Sequence, residues 1–282
     1  MKTETLFAAR TDGRVAYDSM GSSGRVPLLC APSLGDTRAE FRKLAPMLVA
    51  RGYRVLTQDL RGHGESDASF LSYDANALAD DTIAVMDHAR IDRAVLVGCS
   101  VSGGSAIVTA ARHPDRVAGL VLLAPFTRKI RGEALLGWLM GALFAGPWAP
   151  SVWGAYYRSL YKRTAPDDLD AHVDVLRAML REPARRRALV QTIRGSKKLV
   201  EDLRALVRAP TEIVMGGADP DFGDPAIEGE TLADAIGAHA RCTVLDGLGH
   251  YPHVEDPEAV LARIDALARR IDESPSAQAS HP

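Results

Sequence analysis

The chain has 282 residues, 46% of them hydrophobic and 25% charged, with a net charge of −2. That is the composition of a soluble globular protein long enough for a large core, and its balance gives no electrostatic case for nucleic acid or an acidic membrane surface as partner. Three cysteines, Cys30, Cys99 and Cys242, are too few and too scattered for a disulfide framework. Each sits in or beside an apolar run, so buried free thiols in a reducing compartment are expected. Met1 to Thr5 carry no apolar core of a secretion signal, which makes a cytoplasmic protein the expectation.

Residues 4–10 and 14–19 alternate as two short strands around Asp12-Gly13, a hairpin signal. Val26 to Ala31 reads as a buried strand, followed by the loop Pro32-Ser33-Leu34-Gly35-Asp36. A helix from residue 37 to about Ala50 is expected next, with Phe41, Leu44, Leu48 and Val49 on one side. Tyr53 to Thr57 is a strand, Asp59 to Ser66 a turn-rich loop, and residues 75–90 a helix. Ala94 to Val97 and Val117 to Leu123 are continuous apolar runs, as strands covered on both faces require. From Phe126 to Ala209 the pattern is helical throughout. The alternation resumes with strands at 211–215 and 241–245 and helices at 226–238 and 257–271. The last residues, 273–282, are rich in Ser, Ala and Pro and are expected to be disordered. The order of elements predicts an α/β protein: a mostly parallel sheet with helices on both faces and one long helical insertion.

The stretch Gly98-Cys99-Ser100-Val101-Ser102-Gly103-Gly104 joins one of those buried strands to a helical segment at 106–112. A strand, a sharp turn with serine at the apex and a helix make a nucleophile elbow, in which nearby residues must be small. Serine at 102 stands where G-x-S-x-G has its second glycine. Ser102 itself has Gly104 two places on and is a second candidate for the apex. Ser100 is preferred because Gly98 directly follows the apolar run.

These residues resemble the α/β-hydrolase superfamily over nearly the whole chain. Pro32-Ser33-Leu34-Gly35 stands where many members have His-Gly-x-x. Asp59-Leu60-Arg61-Gly62-His63-Gly64-Glu65-Ser66 matches the D-x-R-G-H-G-x-S loop, and the elbow lies at 98–102. Gly216-Gly217-Ala218-Asp219 and Gly249-His250 follow the last two strands, where the superfamily places its acid and its histidine. The resemblance implies an α/β-hydrolase core over 1–125 and 210–272, a helical cap over 126–209, and a serine hydrolase of esterase, thioesterase or lactonase type. Ser100 would be the nucleophile, His250 its base and Asp219 the acid that orients His250, with His253 and Asp221 as their nearest rivals. The backbone N–H groups of Leu34 and Val101 would form the oxyanion hole. His63 and its loop are expected to be structural, and Cys99 to pack away from the apex.

All three tryptophans fall in the insertion, and no charged residue occurs from Ala134 to Tyr157. Glycines and prolines interrupt that run, so no transmembrane segment is expected. Trp138, Trp148, Trp153 and Tyr157 are candidates to roof an apolar substrate pocket. The excess of Lys and Arg between Arg177 and Arg208 reads as a solvated helical face. With no H-E-x-x-H, no C-x-x-C and no glycine-rich phosphate loop, neither a metal nor a cofactor is expected, and the partner is a small-molecule substrate. Acyl transfer or carbon–carbon bond hydrolysis on the same triad, and a ligand-binding fold with an idle triad, are the alternatives. The sequence leaves the oligomeric state open.

Overall fold

Eight strands make one sheet: β1 (Leu6–Arg10), β2 (Gly13–Met20), β3 (Leu28–Ala31), β4 (Val55–Gln58), β5 (Ala94–Cys99), β6 (Val117–Leu123), β7 (Thr211–Gly216) and β8 (Ala240–Leu245). The central strands β3 to β7 are buried on both faces, whereas β1, β2 and β8 are only partly buried. Their spatial order is β1-β2-β4-β3-β5-β6-β7-β8. The hairpin β1–β2 and the β2–β4 pair are antiparallel, and every other pair is parallel. The structure is a computed structural model and describes residues 4–22, 25–128 and 132–273.

Eleven α-helices accompany the sheet among the described residues: α1 (Leu44–Ala50), α2 (Ala75–His88), α3 (Val101–Arg112), α4 (Glu133–Ala145), α5 (Ala149–Ser159), α6 (Leu169–Met179), α7 (Pro183–Arg194), α8 (Lys198–Leu203), α9 (Pro225–Ile236), α10 (Pro252–Glu255) and α11 (Pro257–Asp272). The two-residue alternation of a strand divides the core in two. Leu28, Cys30, Val95, Val97 and Val121 face Phe41, Leu44, Leu48 and Leu267 on one side. Leu29, Leu96, Leu120, Leu122 and Ile213 face Val85, Met86 and Ile107 on the other. The winding of the sheet reverses between β3 and β5, and such a switch point opens a crevice at the carboxyl ends of the strands. The loops after β3 and β5 both start there.

Two boundaries differ from the sequence expectation, each for a local reason. The helix expected from residue 37 splits into a 3₁₀ segment, Arg38–Arg42, and α1. Pro46 has no N–H for the Arg42 carbonyl, and its ring would clash there, so one continuous helix cannot pass. In the other direction, α3 begins at Val101, five residues before Ala106, and carries two glycines through its first turns. Helix propensity disfavours Gly103 and Gly104 by about 1 kcal/mol each, but the crowding described below overrides it.

The long insertion between β6 and β7 forms α4 to α8 and a short 3₁₀ turn, Arg204–Leu206. Its inner side joins the core: Phe144, Trp153, Tyr157, Leu160, Val173 and Leu176 are buried with Phe41 and Tyr251. Among the described residues no helix is long and apolar enough to cross a membrane. The expected disorder of 273–282 falls, apart from Glu273, outside the described residues.

Candidate active site

The turn between β5 and α3 places one serine at its apex. Ser100 has φ 55° and ψ −115°, a left-handed backbone that costs a non-glycine residue of order 1–3 kcal/mol. Its surroundings hold it there. The Ser100 N–H donates to the Leu123 carbonyl at 2.8 Å, and the Ser100 carbonyl accepts from Gly103 N and Phe126 N, both at 3.1 Å. A side chain at Gly98 would meet the Ser102 carbonyl, and one at Gly103 would meet Pro125. Ser102 lies one turn-step further, inside α3, and its hydroxyl donates to the Pro32 carbonyl. Of the two candidate serines, it is Ser100 that occupies the strained apex.

The loops after β7 and β8 bring an acid and a histidine together. His250 Nδ1 is 2.7 Å from Asp219 Oδ2. With that acceptor Nδ1 carries the proton, and Nε2 keeps its lone pair. The His250 N–H donates to the Leu160 carbonyl at 2.9 Å, at the end of α5. The close pass of Leu160 against Gly249 leaves no room for a side chain at 249. Burial lowers the basicity of the His250 imidazole, but the hydrogen bond and charge of Asp219, with the charges of Asp221 and Glu40, outweigh it and raise its pKa above 6.5.

Asp221, the rival acid, is 3.7 Å from His250 Nδ1. Its N–H donates to Asp219 Oδ1 at 3.0 Å, and its own Oδ2 accepts from the Tyr156 hydroxyl at 2.7 Å. Burial raises the Asp221 pKa, and the charge of Asp219 adds to the rise, while His250 and Tyr156 oppose it. The imidazole therefore sees two carboxylates, one in direct contact and one held beside it by a tyrosine from the insertion.

A cleft of about 450 Å³ opens over Ser100. Leu34 and Val101 border its floor, Pro125, Phe126, Met140, Ile193 and Phe222 make its apolar wall, and Tyr156, Thr192 and Asp221 add polar points. Phe126 and Phe222 also flank the His250 ring, with centroids 5.8 and 6.3 Å away. At the rim the Arg128 guanidinium grips the Glu228 carboxylate with two nitrogens.

The aromatic residues expected to roof the pocket do not line this cleft. Trp138 and Trp148 are 57% and 55% exposed. Trp153 and Tyr157 are buried on the opposite side of α5, where Trp153 presses on Gly35 and the Tyr157 hydroxyl donates to Asp36 at 2.6 Å. Trp153 and Tyr157 are one helical turn apart and share a face, whereas Tyr156 is rotated by about 100° from Tyr157 and reaches the cleft. On α4 it is Gly137 and Met140, not Trp138, that face the cavity. Nothing in the composition of the charge-free stretch distinguished these faces. A helical-wheel reading that paired Trp153 with Tyr157 would have separated out Tyr156.

Three other histidines, among them the rival His253, are engaged elsewhere. His253 Nε2 is 3.0 Å from Glu40 Oε1, and its ring stacks on Phe41. His172 Nε2 is 2.8 Å from Asp36 Oδ1. His63 sits 3.0 Å from the Arg61 carbonyl, and burial lowers its pKa to about 4. The loop around it is a brace: Asp59 accepts from Arg38 N at 2.7 Å and Glu65 N at 2.8 Å, and Arg61 forms a two-point pair with Asp81 at 2.7 and 2.6 Å. Cys99 is buried behind the elbow, and burial with the neighbouring Glu40 carboxylate keeps its thiol protonated.

Two groups of acid, thiol and imidazole side chains among the described residues come close enough to share a metal ion: Asp219 with Asp221 and His250, and Glu40 with Cys99 and His253. In the first, the inner oxygen and nitrogen already face each other across a hydrogen bond. In the second, Glu40 Oε2 is taken by Ser33.

A model of the alpha/beta hydrolase family matches residues 28–263. A putative non-heme haloperoxidase of Mycobacterium phage D29 is 33% identical over 124 residues, which span 44% of this chain and 43% of that protein. A 2-(acetamidomethylene)succinate hydrolase of Mesorhizobium japonicum is 27% identical and covers 93% of this chain and 95% of its own. Among solved structures, the enol-lactonase of Burkholderia xenovorans superposes with a TM-score of 0.78 at 23% identity, over 94% of this chain and 100% of that one.

Proposed function

Because the chain belongs to the alpha/beta hydrolase family, we propose that it is a serine hydrolase that cleaves a carboxyl ester, thioester or lactone of a largely apolar small molecule. The reading is carried by a strained Ser100 at the elbow together with a His250 whose Nδ1 is held by Asp219 at 2.7 Å. A serine hydroxyl needs a base to attack, and His250 Nε2 is the free nitrogen of that pair. In the reading, Ser100 Oγ attacks the substrate carbonyl carbon and His250 Nε2 takes its proton. Asp219 stabilises the resulting imidazolium. The Leu34 and Val101 N–H groups bind the oxyanion, where losing one donor costs about 10²–10³ in rate. The protonated His250 then gives its proton to the leaving alcohol or thiol. Water, activated in turn by His250, releases the acid and restores Ser100. These steps need only side chains, backbone and water. The apolar wall of Phe126, Met140, Ile193 and Phe222 supports an acyl or ring group of modest size.

The test is covalent labelling with a fluorophosphonate probe, followed by intact mass and peptide mapping. The expected result is a single adduct at Ser100, lost in Ser100→Ala. An adduct at Ser102 would move the nucleophile. A folded wild type that does not react at all, yet binds apolar ligands as tightly as Ser100→Ala, would overturn hydrolysis in favour of a binding protein. Given an adduct at Ser100, product analysis on a panel of esters, thioesters and lactones, with and without an acceptor alcohol, separates hydrolysis from acyl transfer.

A further inference from the structure

Two serines stand where the resembled pattern has glycine: Ser33 in the loop after β3 and Ser102 in the elbow. The two departures meet in space. The Ser102 hydroxyl, one residue after Val101, donates to the carbonyl of Pro32, two residues before Leu34. It therefore spans the two segments that carry the oxyanion donors. Ser33 is held from the other side. Its N–H donates to Glu40 Oε2 at 2.8 Å, and its hydroxyl donates to the same oxygen at 2.6 Å. Tyr251 Oη is 3.1 Å from that hydroxyl. Glu40 is itself fully buried, with its second oxygen 3.0 Å from His253 Nε2. Ser33 and Ser102 are buried as well. The Asp36 N–H closes the loop on the Ser33 carbonyl at 3.3 Å.

We propose that Ser33, Ser102 and Glu40 are positioning residues that set the spacing of the Leu34 and Val101 N–H groups. The inference rests on the serine hydrolase reading. A glycine at 102 would leave the Pro32 carbonyl without its partner, and an alanine at 33 would leave a buried carboxylate short of one hydrogen bond. Bonds to a carboxylate in a dry site are short and strong, which suits a loop that must hold one geometry. None of the three touches the cleft, so each acts through the backbone of its neighbours.

The measurement is the rate of fluorophosphonate labelling at Ser100, resolved into the saturation constant and the maximal rate, for wild type, Ser102→Ala, Ser102→Thr and Ser33→Ala. Each alanine variant is expected to lower the maximal rate about 10- to 100-fold, less than outright loss of a donor, with the saturation constant within about twofold. Ser102→Thr keeps the hydroxyl and is expected to recover most of the rate. A trifluoromethyl ketone, whose adduct carries the oxyanion, is expected to lose affinity in proportion. Alanine variants that label at the wild-type rate while melting earlier would overturn the proposal, because that pattern belongs to a purely structural role. Should the alanine variants fail to fold, Ser102→Cys replaces them: it keeps the shape with a weak donor, and a wild-type rate there overturns the proposal equally. A wild type that does not label sinks the hydrolase reading itself, which is a distinct result.

Discussion

The two walls of the cleft are held in different ways. The lower wall grows from the carboxyl ends of β3, β5, β6 and β7, so its side chains inherit the rigidity of a parallel ladder. The upper wall comes from α4, α5 and α7 of the insertion, and the first two differ again. α5 and the α6 that follows it are tied to the core by polar contacts: Tyr157 on α5 and His172 on α6 both reach the buried Asp36, and Arg42 makes a two-point pair with Asp168, at the start of α6, at 2.8 and 2.8 Å. α4 carries no charged side chain after Glu133 and shows Leu135, Trp138 and Leu139 to solvent while Met140 faces the cavity. In the proposed reading the reaction chemistry is built on the floor and α5, while α4 and α7 help shape the cavity.

The sharpest way to break that comparison is to remove the acid from the floor. Asp219→Asn is expected to lower kcat on a reactive ester by about 10³–10⁴-fold. If Asp221 could replace it, the loss would stay below about tenfold, and the assignment of the orienting acid would move. Next in size, Asp36→Ala removes one partner of a buried polar cluster and is expected to cost about 3 kcal/mol in urea unfolding. A change under about 0.5 kcal/mol would mean that α5 and α6 are not held through Asp36.

Effects on α4 are expected to be smaller and of another kind. Met140→Ala should shift the preferred acyl length by one or two carbons, with about tenfold gain on the longer ester relative to the shorter, since each buried methylene is worth about 0.8 kcal/mol. Trp138→Ala, on the solvent side of the same helix, should leave that preference unchanged within twofold. Equal effects of both substitutions would erase the distinction between the faces of α4.

The pH dependence sharpens the floor once more. His250 must be neutral to act as base, and its pKa lies above 6.5, so kcat/KM should rise with pH through an inflection above 6.5. Asp219 is a main cause of the upward shift, so the residual activity of Asp219→Asn should inflect at lower pH than wild type. An inflection that stays put would show that another group controls the profile.

Most of the floor was legible in the sequence because each of its residues follows a strand-like apolar run, fully buried in β5 and β7 and partly buried in β8. Val95 to Val97 point to Ser100, Ile213 to Met215 to Asp219, and Thr243 to Leu245 to His250; strand ends are where such a sheet presents side chains. Those three side chains stand at the ends of β5, β7 and β8. The upper wall was not legible in the same way. Between Ala134 and Tyr157 nearly every position is apolar, so hydrophobic periodicity cannot tell which face turns inward. The buried supports were hidden for another reason. Glu40 reads as a polar residue of an amphipathic helix, and only the fold over it places it against Ser33 and His253. The start of α3 was misread because glycines in a helix look like a breaker until the crowding at Pro125 is known.

One carboxylate joins the loop that bears His250 to the far end of α5. Glu255 Oε1 accepts from Gly249 N at 2.7 Å, and its Oε2 accepts from Lys162, Arg163 and Thr164 N–H groups at 3.2, 2.7 and 3.1 Å. Stapled this way, α5 cannot swing aside to admit a guest without dragging the base with it. The α4 side of the cleft, with Gly137 and Met140 at the cavity, lies outside this staple, so its shape can change without moving the loop that bears His250.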